Sequence, residues 1–239
     1  MSVELGRDRL TDTLLSRARE VRVDDVEGSL AAATTAIVEM GVADSVSITE
    51  RIGKHEFRTR AATDERAKAA DRLQYELGEG PCVEAAYDDD GVIRSNDVVS
   101  GSRWPRWGPA VAGEGVRAVI SIQLYHHDQT MGALNLFFGD RQDFTTEDVE
   151  VARLAAVPIS IELAHGRQDE NLWKAITARH RIGLAQGILM ERFKVAEPQA
   201  FGVLRRVSQQ TNTKLQLVAE RLIREGELPM AADGAELDE

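Results

Sequence analysis

Two periodicities divide the chain. Between residues 45 and 139, apolar and polar positions alternate in short runs bounded by Gly, Pro and Asp, as in strands with one buried face; on either side the repeat lengthens to three and four residues, as in amphipathic helices. Helical patterns run over residues 10–40 and break near 22–27, and Ala31, Thr35 and Val38 mark one helix ending at Met40-Gly41. Residues 45–51 and 56–62 predict two strands joined by a turn at Gly53-Lys54, and residues 64–77, rich in Ala, Lys and Arg, predict a solvated helix. A flexible turn, Gly78-Glu79-Gly80, leads through Pro81 into a short helix, followed by a strand at 92–96 and a second short helix over 102–112 that carries Trp104 and Trp107. Strands at 116–125 and 131–139 flank a hairpin loop of residues 126–130, and Thr145 or Thr146 can cap a helix through Val149, Leu154 and Val157 with acids in its first turn. Pro158 removes a backbone donor, so a kink or break is expected near Val157. The fold class is α+β: an antiparallel sheet with flanking helices, segregated to one face.

The last third reads as helix throughout. Leu172, Ala175 and Ile176 form a stripe among charges that can continue into Ile182 and Leu189, a weak two-stranded coiled-coil seam across a linker at residues 166–178. Residues 179–193 add Ala185, Ile188 and Phe193 to that apolar set, together with Gly183 and Gly187 on one face. Two helical glycines cost roughly 1 kcal/mol each relative to Ala, and close helix packing is the expected reason, ahead of close approach by a ligand or nucleic-acid backbone. Pro198 opens a second helix with Ala200, Val203, Leu204 and Val207 on its apolar side. Thr213 and Gln216 fit a capping box for a third, which carries Leu215, Val218, Ala219, Leu222 and Ile223 and ends at Gly226, before Pro229. An all-α three-helix module over 179–228 follows.

Charge sharpens this division. The chain has 239 residues and a formal net charge of −11, which argues against general nucleic-acid affinity. Residues 167–228, however, hold 11 Lys/Arg against 7 Asp/Glu, whereas residues 1–166 hold 18 against 29, and residues 229–239 hold 4 acids and no Lys or Arg. Only the helical module is basic, and a modest positive charge suits selective rather than indiscriminate phosphate binding. No apolar run approaches the roughly 18 residues of a membrane span, and residues 1–20 are charged throughout, so a cytoplasmic chain with no membrane partner and no signal peptide is expected. The single cysteine cannot form an internal disulfide, in keeping with a reducing compartment.

Within the module, Ala185-Gln186-Gly187-Ile188-Leu189-Met190, Ala200-Phe201, Leu204-Arg205-Arg206, Lys214-Leu215 and Val218-Ala219 resemble the ANTAR domain of transcription antitermination regulators, in order and over about sixty residues. The resemblance implies a three-helix RNA-binding module that dimerises through a coiled coil and binds paired stem-loops in nascent mRNA. One departure stands out: the family usually has Lys where this chain has Gln186. In the front part, residues 78–85, Asn96-Asp97, Arg103-Trp104-Pro105, Gly115-Val116-Arg117-Ala118, Gly132-Ala133-Leu134-Asn135-Leu136 and residues 144–148 resemble a GAF domain over about 25–165. That implies a sensor fold that binds a small molecule or a protein partner, or dimerises. Residues 1–24 are then an N-terminal extension and 229–239 an acidic tail, expected to be disordered.

Candidate chemistry is sparse. RNA readers address loop bases by stacking and polar contacts, with Arg and Lys on phosphates, which selects Arg181, Gln186, Arg205, Arg206, Thr211, Asn212 and Lys214; no acid competes between Phe201 and Leu217. Cys82, Trp104 and Trp107 are candidates for a sensor pocket. Cys82 opens a short helix whose dipole can lower a thiol pKa, but packing is the favoured reading, and GAF-type methionine sulfoxide reductases use several cysteines. Trp104 and Trp107 suit one buried helix face. His126-His127 on a loop suggests no joint metal site, and no cofactor is expected. Asn135 and Asp148 lack the Lys and Glu that would follow them in cyclic-nucleotide-binding GAF domains. The reading is a non-enzymatic, RNA-binding antitermination regulator, homodimeric through the linker helix or the GAF domain; the alternatives are a DNA-binding regulator with a helix-turn-helix-like module and a redox sensor acting through Cys82.

Overall fold

The computed structural model describes residues 25–54, 56–85, 88, 90–100, 103–127, 129–140 and 142–228, so the helical pattern from Leu10, Pro229 and the acidic tail lie outside the described residues. The chain divides into two compact units, Met1–Arg167 and Gln168–Glu239. In the first, helix α1 (Val26–Glu39) precedes strands β1 (Ser45–Arg51) and β2 (Phe57–Ala62), then helices α2 (Glu65–Leu77) and α3 (Pro81–Ala85). Strand β3 (Val92–Ser95), helix α4 (Trp107–Gly113), and strands β4 (Ala118–His126) and β5 (Gln129–Phe138) complete an antiparallel sheet of order β2-β1-β5-β4-β3. Helix α5 (Thr146–Phe193) closes this unit and runs into the second, where α6 (Glu197–Gln210) and α7 (Leu215–Glu225) follow.

Asp25 caps α1 by accepting the Gly28 amide at 2.9 Å, a contact of the kind that contributes about 1 kcal/mol. The buried face of α1 is Leu30, Thr34, Ala36 and Ile37, while Ala31 and Thr35, two of the residues that mark the helix, face solvent. Larger Leu and Ile side chains outcompete Ala for the apolar sheet. Both sheet faces carry helices, which corrects the one-faced arrangement. Val46, Ile48, Ile120, Ile122, Leu134 and Leu136 meet α1 and the Ala152–Leu163 part of α5. Val119 and Phe137, on the opposite side, meet Ala67, Ala70, Trp104, Trp107 and Val111. Helix α2 is therefore half core rather than solvated: Ala67, Ala69, Ala70, Asp71 and Gln74 are buried along it.

Two further expectations change. The β4–β5 hairpin is tighter than a five-residue loop, pairing His126 with Gln129, and His127 accommodates the reversal at φ 52°. Thr145 caps α5, its hydroxyl accepting the Asp148 amide at 3.2 Å while Asp148 receives the Thr145 amide at 2.7 Å. The helix then continues unbroken through Pro158. Ala155, Ala156 and Ile159 around the proline are buried, and this packing holds the helical path despite the missing donor.

In the second unit, Ala185 and Leu189 of α5 pack with Ala200 and Leu204 of α6 and Val218, Ala219 and Leu222 of α7. Phe193, at the last residue of α5, is 60 % exposed and does not join them. Pro198 lies in the first turn of α6, and the Gln199 Oε1 accepts the Ala196 amide at 2.9 Å. Gly226 ends α7 in the left-handed region at φ 75°, its amide bonded to the Leu222 carbonyl at 2.9 Å. The expected capping box is absent: Lys214 occupies the N-cap position, Thr213 donates its hydroxyl back to the Thr211 carbonyl at 3.1 Å, and Gln216 bonds Glu220.

Candidate nucleic-acid interface and sensor interior

The seven residues selected for RNA contact separate into two groups. Arg181 pairs with Glu220, whose carboxyl is held below its ordinary range by Gln216 and Arg181. Gln186 Nε2 lies 3.5 Å from the Glu197 carbonyl, on a groove of about 720 Å³ also lined by Arg179, Ile182, Phe201 and Leu215. Thr211 closes the end of α6 by donating to the Val207 carbonyl at 2.7 Å. Arg181 and Thr211 thus serve the module's own fold, while Gln186 is only loosely held and faces the groove. Arg205, Arg206, Asn212 and Lys214 are exposed, and none of them has a side-chain partner among the described residues. Asn212 takes the left-handed conformation at φ 47°, turning the chain between α6 and α7 so that the α6 arginines and Lys214 flank one corner.

That corner is electrostatically uncompensated. No acid occurs from Pro198 to Ala219, whereas cations toward the other end of the module are engaged: Arg192 with the Gly226 carbonyl, Lys194 with Glu191, and Arg221 and Arg224 with Glu225. Phe201, 38 % exposed, places an aromatic ring in the groove beside Gln186 and was not among the residues selected from sequence. Its signal was there, an aromatic on the solvent side of an α6 pattern satisfied by Ala200 and Leu204. The helical glycines correct a further expectation. A Cβ placed on Gly183 or Gly187 would meet nothing within 4 Å, so no packed helix explains them in this unit.

The sensor interior is organised by a residue that sequence reasoning passed over. Asp71, fully buried on α2, accepts from Ser47 at 2.8 Å, Thr59 at 2.8 Å, Asn135 Nδ2 at 3.1 Å and Thr49 at 3.3 Å. Tyr75 joins through Thr49 at 2.8 Å and Thr59 at 3.0 Å, and Asn135 takes the Ser121 hydroxyl at 2.7 Å. All these donors are neutral. Burial without a cation pushes the Asp71 carboxyl up to about 6, against the pull of its hydroxyl donors. The same burial, with Asp71 beside it, raises the Tyr75 phenol. The alternation Ser45-x-Ser47-x-Thr49 on β1 was the legible sign of a polar sheet face.

Cys82, Trp104 and Trp107 do not form one pocket. Cys82 is wholly buried, and burial followed by the Asp71 charge pushes its thiol up to about 12, so the short helix does not produce a reactive thiolate. Its amide is held by Gln74 Oε1 at 2.7 Å. Trp107 donates to the Ala70 carbonyl at 3.1 Å and stacks edge-on against Trp104, ring centres 5.3 Å apart, as a core pair. Trp104 borders a cleft of about 470 Å³, where its N–H meets Glu84 at 3.1 Å. Among the described residues no cluster of His, Cys, Asp and Glu could hold a metal, and no helix is long and apolar enough to cross a membrane.

A sheet with helices on both faces, continued by a basic three-helix module, defines a two-part chain. The chain belongs to the GAF domain family, whose model matches residues 7–164, and it carries an ANTAR domain over residues 170–223, a match that reaches back into the segment read as linker. Among solved structures, it is similar to the GAF domain of a phosphoenolpyruvate-protein phosphotransferase from Coxiella burnetii, at 18 % identity and TM-score 0.53, covering 68 % of this chain and 97 % of that one. The corresponding Acinetobacter domain gives 14 % identity and TM-score 0.51, with 68 % and 97 % covered. Free methionine-R-sulfoxide reductase from Neisseria meningitidis gives 16 % identity and TM-score 0.53, covering 71 % and 94 %. At these identities the likeness is one of fold. No curated protein matches the sequence significantly.

Proposed function

We propose that the chain is a transcription antitermination regulator that acts without catalysis: its ANTAR module binds tandem hairpin loops in nascent mRNA, and its GAF domain decides when. The observation that carries this reading is the acid-free corner of α6 and α7, where Arg205, Arg206 and Lys214 stand exposed on a domain of the ANTAR type. Cations of this kind hold phosphates, and the neighbouring Phe201 offers a face on which an unpaired base can stack. The exposed Leu172 and Ile176 on α5, 58 % and 48 % accessible, support homodimerisation through that helix, so that two modules grip two hairpins and gain avidity. The input is a small-molecule ligand or protein partner at the GAF domain, the chain working in the cytoplasm with no cofactor.

A gel shift with RNA carrying two tandem hairpins tests the proposal. Charge reversal of Arg205, Arg206 and Lys214 together is expected to abolish the shift and to lower the salt dependence of any residual binding by roughly 0.7 in log–log slope per lost contact. Unchanged binding would remove this face from the reading, and preference for duplex DNA over hairpin RNA would replace it with the DNA-binding alternative.

A further inference from the structure

The basic corner has a complement within the same chain. Residues 229–239 hold 4 acids, Asp233, Glu236, Asp238 and Glu239, and no Lys or Arg. Leu228, the last described residue, packs on the module's own core, so this segment starts from the module itself. Its reach is sufficient. At roughly 3.3 Å per extended residue, Asp233 can travel about 16 Å from Leu228 and Glu239 more than twice that, whereas the 11 residues of α7 that separate Lys214 from Gly226 span about 16 Å. The cations nearest its origin are already committed, Arg192 to the Gly226 carbonyl and Arg221 and Arg224 to Glu225. Arg205, Arg206 and Lys214 lack such partners among the described residues.

We infer that the acidic segment 229–239 docks on the Arg205–Arg206–Lys214 corner when RNA is absent and competes with RNA for it. Tethering makes even weak, exposed ion pairs effective, because the segment is held at high local concentration. RNA, bringing a denser run of charge, displaces it. The contact would set a threshold that weak or single hairpins fail to cross. The consequence for RNA rests on the function proposed above; the contact itself does not.

Two measurements on the full chain test this. Neutralising the four acids (D233N, E236Q, D238N, E239Q) is expected to tighten binding of the tandem-hairpin RNA about fivefold at low salt, with the gap closing when added salt shortens the screening length. Equal affinities at both salt concentrations overturn the competition. In the RNA-free protein, a carbodiimide is expected to join Lys214 to a carboxylate of the segment, detectable as a cross-linked peptide. Its absence overturns the docking. If neither chain binds RNA but the cross-link forms, the docking stands and the RNA-binding reading falls.

Discussion

Asp71 shows how much a single side chain can hide. Its carboxyl is surrounded by hydroxyls and an amide, with no cation, so the folded domain favours the protonated form. Its folded value of about 6 lies above the ordinary 3.8. At low pH both folded and unfolded chains are protonated, and this group takes nothing from stability. Between those values the unfolded chain has released a proton that the folded chain retains, so stability falls as pH rises and levels off above about 6. The shift corresponds to roughly 3 kcal/mol at most. Urea midpoints measured across that interval are expected to decline in the native chain and to flatten in Asp71→Asn; parallel profiles would show that Asp71 does not titrate there. Asp71 was illegible in sequence because an Ala-, Lys- and Arg-rich helix reads as solvated, and nothing local says that its Ala67–Asp71–Gln74 side faces a sheet. Packing was the favoured reading of Cys82, and its full burial agrees with that.

At the scale of elements, the strands were the most legible parts. Residues 45–51 carry the clearest alternation, because slipping β1 by one residue would exchange Val46 and Ile48 with Ser47 and Thr49, which bond Asp71 on the other face. Helix boundaries set by local chemistry were legible too, as at Thr145 and Gly226. Long-range packing decided the rest: which face of α1 is buried, whether α2 is covered, and whether α5 survives Pro158. The start of α7 shows a local rule overridden, since Thr213 spends its hydroxyl on the turn at Thr211. Gly183 and Gly187 give a prediction at this scale. With open space where each Cβ would lie, Gly183→Ala and Gly187→Ala are each expected to stabilise the helical unit by about 1 kcal/mol, seen as raised thermal midpoints in helical circular dichroism. Lowered midpoints would mean that a neighbour fills that strip in solution. A loss of RNA binding alongside higher stability would mark the bare strip as the surface that RNA approaches.

For the whole molecule, the split of charge between front and back was readable from composition, because net charge adds along the chain without any knowledge of the fold. The division of labour that it suggested, an acidic sensor and a basic effector, is the organisation of a GAF domain followed by an ANTAR domain. Individual contacts were less readable. Arg181 and Thr211 have the right chemistry for RNA but are occupied within the unit, and only three-dimensional neighbours could reveal that.

The tryptophans are distributed in a way that makes the protein its own indicator. Trp104 and Trp107 are sealed in the front domain at 4 % and 0 % exposure, whereas Trp173, beside Leu172 on α5, is 68 % exposed. Emission at the red edge of the spectrum, and nearly all quenching by acrylamide, should therefore come from one indole. If a second copy covers α5, dilution should turn that emission redder and more quenchable without any label, while a spectrum indifferent to concentration would place the partner elsewhere.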